Sequence, residues 1–87
     1  MDPFEAMKND LVMRVPYVQL EVDAPLDKKQ GIWTMDVRLK RKMVVVQYNP
    51  KLRKFGVSVP SGEYETKPDE VFNDIMSASG RVIELLK

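Results

Sequence analysis

The sequence predicts an α+β fold of order α-β-β-β-β-α. A short N-terminal helix leads into a four-stranded antiparallel meander, and a long C-terminal helix packs on one face of that sheet. Three observations carry this. Apolar residues recur at helical spacing near both ends of the chain, and the period falls to two in between. The links between successive period-two runs are short, which makes sequence neighbours into antiparallel sheet neighbours.

The opening Asp2-Pro3-Phe4-Glu5 reads as a helix start. Asp2 caps, Pro3 suits the first helical position, and Glu5 completes a capping-box-like pair. Phe4, Met7 and Leu11 continue it to about Met13, and Pro16 bars extension. From Tyr17 to Asp23, Val18, Leu20 and Val22 alternate with Gln19, Glu21 and Asp23, as in a strand with one wet face. Pro25 and Gly31 punctuate the loop that follows. A second strand, Ile32 to Leu39, sets Trp33, Met35, Val37 and Leu39 on one face. The third, Met43 to Tyr48, is apolar on both faces except at Gln47, which predicts a central and more fully buried strand. Asn49-Pro50 supplies a turn, and the fourth strand runs from Lys54 to Val59.

Thr66-Lys67-Pro68-Asp69 combines a cap, an early proline and an acid, and predicts the start of the last helix. Val71, Phe72, Ile75, Met76, Val82, Ile83 and Leu86 form its apolar stripe. Asp69, Glu70 and Asp74 sit near its N-terminus, as the helix dipole favours. The small-residue patch Ser77 to Gly80 reads as close packing of this helix on the sheet, with a kink or a helix–helix contact as alternatives.

At 87 residues the chain is expected to be a single domain spanning 1–87. Its 44% hydrophobic and 31% charged residues are those of a globular chain rather than a disordered one. Cysteine and histidine are both absent. That removes disulfides, thiolate and His-ligated metal sites, and every Ser–His or Cys–His nucleophile. The acids Glu63, Glu65, Asp69, Glu70 and Asp74 lack the spacing of a calcium loop and read as caps and solvated surface. No cofactor, no metal and no enzymatic activity are therefore expected. The acidic opening MDPFEAMKND and a longest apolar run of only Met43 to Val46 predict no membrane insertion and a soluble cytoplasmic protein.

The formal net charge of +1 conceals segregation. Between Lys28 and Lys54 stand nine basic residues against one acid, +8, while residues 1–27 carry −4 and residues 55–87 carry −3. Such asymmetry points toward an anionic partner. A meander would separate the basic residues into two groups roughly 20 Å apart, one at each end of the sheet. Lys28, Lys29, Lys51, Arg53 and Lys54 would form a rim able to hold phosphates. Arg38, Lys40, Arg41 and Lys42 would form a second cluster at the other end. The competing reading is that basic turns aid solubility and block edge-to-edge pairing.

Nucleic-acid folds fit poorly. A double-stranded RNA-binding domain opens its last helix with basic residues, whereas Pro68-Asp69-Glu70 has the opposite sign. Arg53 to Val59 is similar to the aromatic RNA-contacting strand of the RRM fold, but the βαββαβ order of that fold is missing, so Phe55 reads as core. Trp33 also reads as core, and Tyr64 as the aromatic residue most exposed.

The C-terminal half, MVVVQYNPKLRKFGVSVPSGEYETKPDEVFNDIMSASGRVIELLK, resembles the HicB-type antitoxin domain in its order of elements. The shared order is a strand, a turn, a VSVP strand, an acidic loop and a helix opening near an acidic pair. The Gly-Cys step that precedes the helix in that family is absent. The resemblance implies a partner-binding, antitoxin-like role. Two expectations follow. The first is a small non-enzymatic protein-interaction or regulatory domain that binds a protein partner or forms a homodimer. The edge strand Tyr17 to Asp23, the 77–80 patch or the basic rim would make that contact. The alternative is a nucleic-acid-binding protein using the rim Lys28, Lys29, Lys51, Arg53 and Lys54.

Overall fold

The computed structural model describes residues 2–60 and 68–87. The predicted cap at Thr66, the predicted exposure of Tyr64, and the acids Glu63 and Glu65 lie outside the described residues. Helix α1 spans Glu5–Arg14, followed by strands β1 (Gln19–Asp23), β2 (Trp33–Leu39), β3 (Lys42–Asn49), β4 (Lys54–Ser58) and β5 (Glu70–Phe72), and helix α2 (Ile75–Leu86) closes the order. The α+β class is as the sequence predicts. The sheet has five strands rather than four, antiparallel throughout and ordered β1-β2-β3-β4-β5.

The extra strand corrects the reading of the last helix. Residues 70–72 carry a helix-compatible pattern, but Asp69 and Pro68 hold them against β4. Asp69 N–H donates to Ser58 Oγ at 3.2 Å, and Val59 N–H donates to Asp69 Oδ2 at 3.1 Å. Pro68 sits over Gly56, where a Cβ would approach the proline ring to 2.5 Å. Helix α2 therefore starts at Ile75, capped by Asp74, whose carboxylate accepts from Ser77 N–H and Ser77 Oγ, both at 2.8 Å. The N-terminal helix likewise starts later than Asp2. Asp2 Oδ1 accepts from Phe4 N–H at 2.8 Å, and Pro3 lies ahead of the first helical turn. Strand β1 starts at Gln19, since Tyr17 takes a left-handed φ of 66° and stands in solvent.

Both helices cover one face of the sheet. Phe4, Met7 and Leu11 of the N-terminal segment meet Trp33, Met35, Val37, Val44, Val46, Phe55 and Val57 of the strands and Ala78, Val82, Ile83 and Leu86 of α2. Burial of these side chains stabilises the fold by about 1.5–3 kcal/mol for each large residue. The 77–80 patch packs on α1 rather than on the sheet alone. Ala78 and Ser79 are fully buried, and Ser79 Oγ donates to Asp10 Oδ2 at 2.6 Å. Ala78 and Ser79 thus make the helix–helix contact, the alternative reading of this patch, while Ser77 stays exposed and Gly80 is half-exposed.

No element lies on the opposite face among the described residues. Strand β3 is central, as predicted, but only Val44 and Val46 are buried, whereas Met43, Val45 and Gln47 on the other face are half-exposed. The expectation of a strand buried on both faces fails because the second layer is missing. No described helix is long and apolar enough to cross a membrane.

Candidate functional site

The strand register places Trp33 opposite Tyr48, Tyr48 opposite Phe55, and Phe55 opposite Phe72. An aromatic row thus crosses four strands on the helix-facing side, near one end of the sheet. The Tyr48 and Phe55 rings lie 4.7 Å apart at 38°, and Phe4 reaches Phe55 at 6.3 Å. Around this row converge the starts of α1 and α2 and the loops β1–β2 and β3–β4. Together they border an open cleft of about 670 Å³. Trp33 and Phe55 are nearly buried in its floor, while Tyr48 is half-exposed.

The two loops are built structures. Asp27 Oδ1 accepts from Lys29 N–H at 3.0 Å and Gln30 N–H at 3.2 Å, Gly31 N–H returns to the Asp27 carbonyl at 2.7 Å, and Trp33 Nε1–H donates to the Lys28 carbonyl at 3.1 Å. This turn presents Lys28 and Lys29 at the cleft. In the other loop Asn49 Oδ1 accepts from Lys51 N–H at 3.0 Å and Leu52 N–H at 3.4 Å, and Arg53 adopts a left-handed φ of 54°. That turn brings the Arg53 side chain to the cleft wall.

The predicted rim is thereby divided. Lys28, Lys29 and Arg53 share the cleft, Lys54 lines a groove on the opposite face, and Lys51 lines neither. Lys54 opens β4 with Phe55 facing the helices, so strand alternation turns Lys54 to the open face, whereas Arg53 belongs to the preceding turn and its left-handed φ sets its different course. The second basic cluster is divided in the same way. Lys40, Arg41 and Lys42 border a cavity of about 420 Å³ at the far end of the sheet with Leu39, Leu86 and Lys87, and Lys42 Nζ donates to the backbone oxygen of Lys87. Arg38 lies on the open face, 3.7 Å from Asp36 and beside Glu21.

Three carboxylates also border the cleft: Asp2, Glu5 and Asp74. Sequence reasoning placed Asp2 and Asp74 only as helix-start residues. Their convergence becomes visible once both helices are seen to begin at the same end of the sheet. Two of the three are engaged by the fold. Burial disfavours the charge on Asp2, but the Lys8 ammonium at 2.7 Å and the Phe4 N–H outweigh it and hold the carboxyl below its ordinary value. The Ser77 N–H and hydroxyl depress Asp74 in the same sense. Glu5 stands 3.7 Å from Lys8. By contrast, the side chains of Lys28, Lys29 and Arg53 make no ion pair or hydrogen bond among the described residues.

The open face holds a second concavity of about 420 Å³, where Ile32, Leu52, Pro68 and Val71 surround Thr34, Gln47 and Gly56, with Lys54 at its margin. Ile32 and Val71 are 44% and 56% exposed. The same face carries Glu21 and Asp23 on β1 at its far edge. No three His, Cys, Asp or Glu side chains among the described residues gather in a metal-holding group. In comparisons with known proteins, no family model, no curated protein and no solved structure matches the chain.

Proposed function

We propose that this chain is a non-enzymatic interaction domain that works as a homodimer, two copies packing their open sheet faces together. The observation that carries the reading is the missing second layer. A five-stranded sheet is covered by helices on one side only, and its bare side presents Ile32, Leu52 and Val71 with half-exposed Met43 and Val45. Ile32, Leu52 and Val71 border one groove; exposed apolar side chains grouped in this way mark interaction sites, and face-to-face sheet packing is a common way to cover them.

Charge favours a second copy as the occupant. The acids Glu21 and Asp23 lie at the β1 edge, and Lys54, unpaired among the described residues, lies on β4 toward the other edge. A two-fold axis along the strands sets the acidic edge of one copy over the Lys54 side of the other, twice. The absence of His and Cys from the sequence supports the non-enzymatic part of the reading. The cysteine-free composition also suits a reducing, cytoplasmic compartment.

Sedimentation equilibrium tests the proposal. At about 100 μM the expected mass is twice the chain's 10.1 kDa. Val71→Glu, on an exposed strand position, is expected to give monomer with unchanged circular dichroism. Lys54→Glu should weaken the dimer, and Asp23→Lys in the same chain should restore it by exchanging the two signs. A wild-type chain that stays monomeric, or that forms a stoichiometric complex with a different protein through this face, overturns the homodimer.

A further inference from the structure

From the cleft at the end of the sheet we infer a binding site for a small anionic ligand carrying a flat ring, of the nucleoside monophosphate class. The inference is independent of the dimer, because the cleft lies on the helix-facing side of the sheet. Three features point to this chemistry. Lys28, Lys29 and Arg53 come from two separately braced loops, and none is neutralised by a partner among the described residues. Cations that line one cleft without partners gain from a shared anion, and phosphate offers several acceptors to such a group. The aromatic row then supplies a floor beside them, in which Tyr48, packed on Phe55 at 4.7 Å, is half-exposed and lines the cleft.

Size and polarity narrow the ligand. A cleft of about 670 Å³ falls in the range of small-molecule sites, roughly 300–1,000 Å³. The carboxylates stand on the helix side and the free cations on the loop side, so the anionic group seats toward the loops and the ring toward Tyr48 and the start of α1. Asp2 and Asp74 already accept hydrogen bonds within the fold, which lessens their opposition to an anion. A polymer fits worse. A nucleic-acid strand needs a continuous run of cations, yet Lys54 faces the other side of the sheet and Lys40, Arg41 and Lys42 stand at the far end.

The full chain carries its own reporter. Trp33 is the only tryptophan, and its indole N–H donates to the carbonyl of Lys28. Its fluorescence and its indole N–H resonance are read while adenosine 5′-monophosphate, inorganic phosphate, adenosine and a short oligothymidylate are titrated in turn. Adenosine monophosphate is expected to give a saturable change and to bind about tenfold tighter than phosphate or adenosine alone, weakening as salt rises. The exposed-residue double variant Lys28→Gln/Arg53→Gln should lose about tenfold or more, and Lys51→Gln/Lys54→Gln should stay within about twofold of wild type. The monomeric Val71→Glu variant should bind normally. The inference is overturned by no response to the mononucleotide up to about 10 mM, by an equal response to phosphate alone, or by oligothymidylate binding that both double variants weaken alike.

Discussion

Gly56 and Gly80 occupy opposite situations. A Cβ at Gly56 would lie 2.5 Å from the Pro68 ring, on the contact that holds the start of β5 to β4, whereas a Cβ at Gly80 would meet nothing within 4 Å. Gly56→Ala should therefore destabilise by about 1–3 kcal/mol through overpacking. Gly80→Ala should stabilise by about 0.5–1 kcal/mol, since glycine inside a helix costs conformational entropy that alanine does not. Urea midpoints moving in opposite directions at unchanged slope are the expected result. Asp2 and Lys8 give a residue-scale pH effect. Lys8 is raised by its hydrogen bond to Asp2, and Asp2 is lowered. A lowered acid contributes stability above its unfolded pKa and loses it as pH falls through the folded one. A raised base contributes below its unfolded pKa and loses it as pH climbs through the folded one. The stability gap between wild type and Asp2→Asn should thus be flat from about pH 5 to 9, on the order of 0.5–1 kcal/mol for a part-exposed pair, and vanish in stronger acid.

Among the elements, the β2–β3 hairpin turns on two residues, Lys40 and Arg41, with a positive φ of 56° at Lys40 only. That fits a type II′ turn, whose first central position favours glycine. Lys40→Gly should raise stability by about 0.5–1 kcal/mol by relieving left-handed backbone, read as a higher urea midpoint. The elements whose periodicity is carried by several residues were legible from sequence: β2, with Trp33, Met35 and Val37 buried, is the clearest case. The start of α2 was not, because Val71 and Phe72 satisfy a helical stripe as well as a strand. The choice was made by distant partners, Ser58 and Gly56, which no local pattern names. The candidate cleft was half legible. Lys28, Lys29 and Arg53 stand out in the sequence as part of its basic segment. Their separation from Lys51 and Lys54 follows from strand parity and turn geometry, and the aromatic row required the register of three strand pairs.

For the whole molecule, the two-layer build leaves two surfaces of different chemistry. The cleft on the helix side gathers cations unpaired among the described residues beside aromatic rings, and the bare side sets Ile32, Leu52 and Val71 beside Thr34 and Gln47, with the Asp36–Arg38 pair on β2 and further charge at Glu21, Asp23 and Lys54. Neither depends on the other, so losing the dimer by Val71→Glu and losing the ligand by Lys28→Gln/Arg53→Gln should be separable in one protein. Their effects on stability should add, as expected for sites without shared partners.

Strand β1 leaves one backbone edge of the sheet unpaired among the described residues. Two copies meeting there in antiparallel fashion about Glu21 would set Glu21 against Glu21 and Asp23 against Gln19, four carboxylates crowded on one ribbon. Growth by lateral strand addition, the route to fibres, is opposed by that charge. The face-to-face packing proposed above would instead use up the exposed surface in a single step and end association at two copies. Removing the edge acids, as in Glu21→Thr/Asp23→Thr, should convert a self-limiting assembly into an open-ended one, visible as thioflavin-positive aggregation at concentrations where the wild type stays clear.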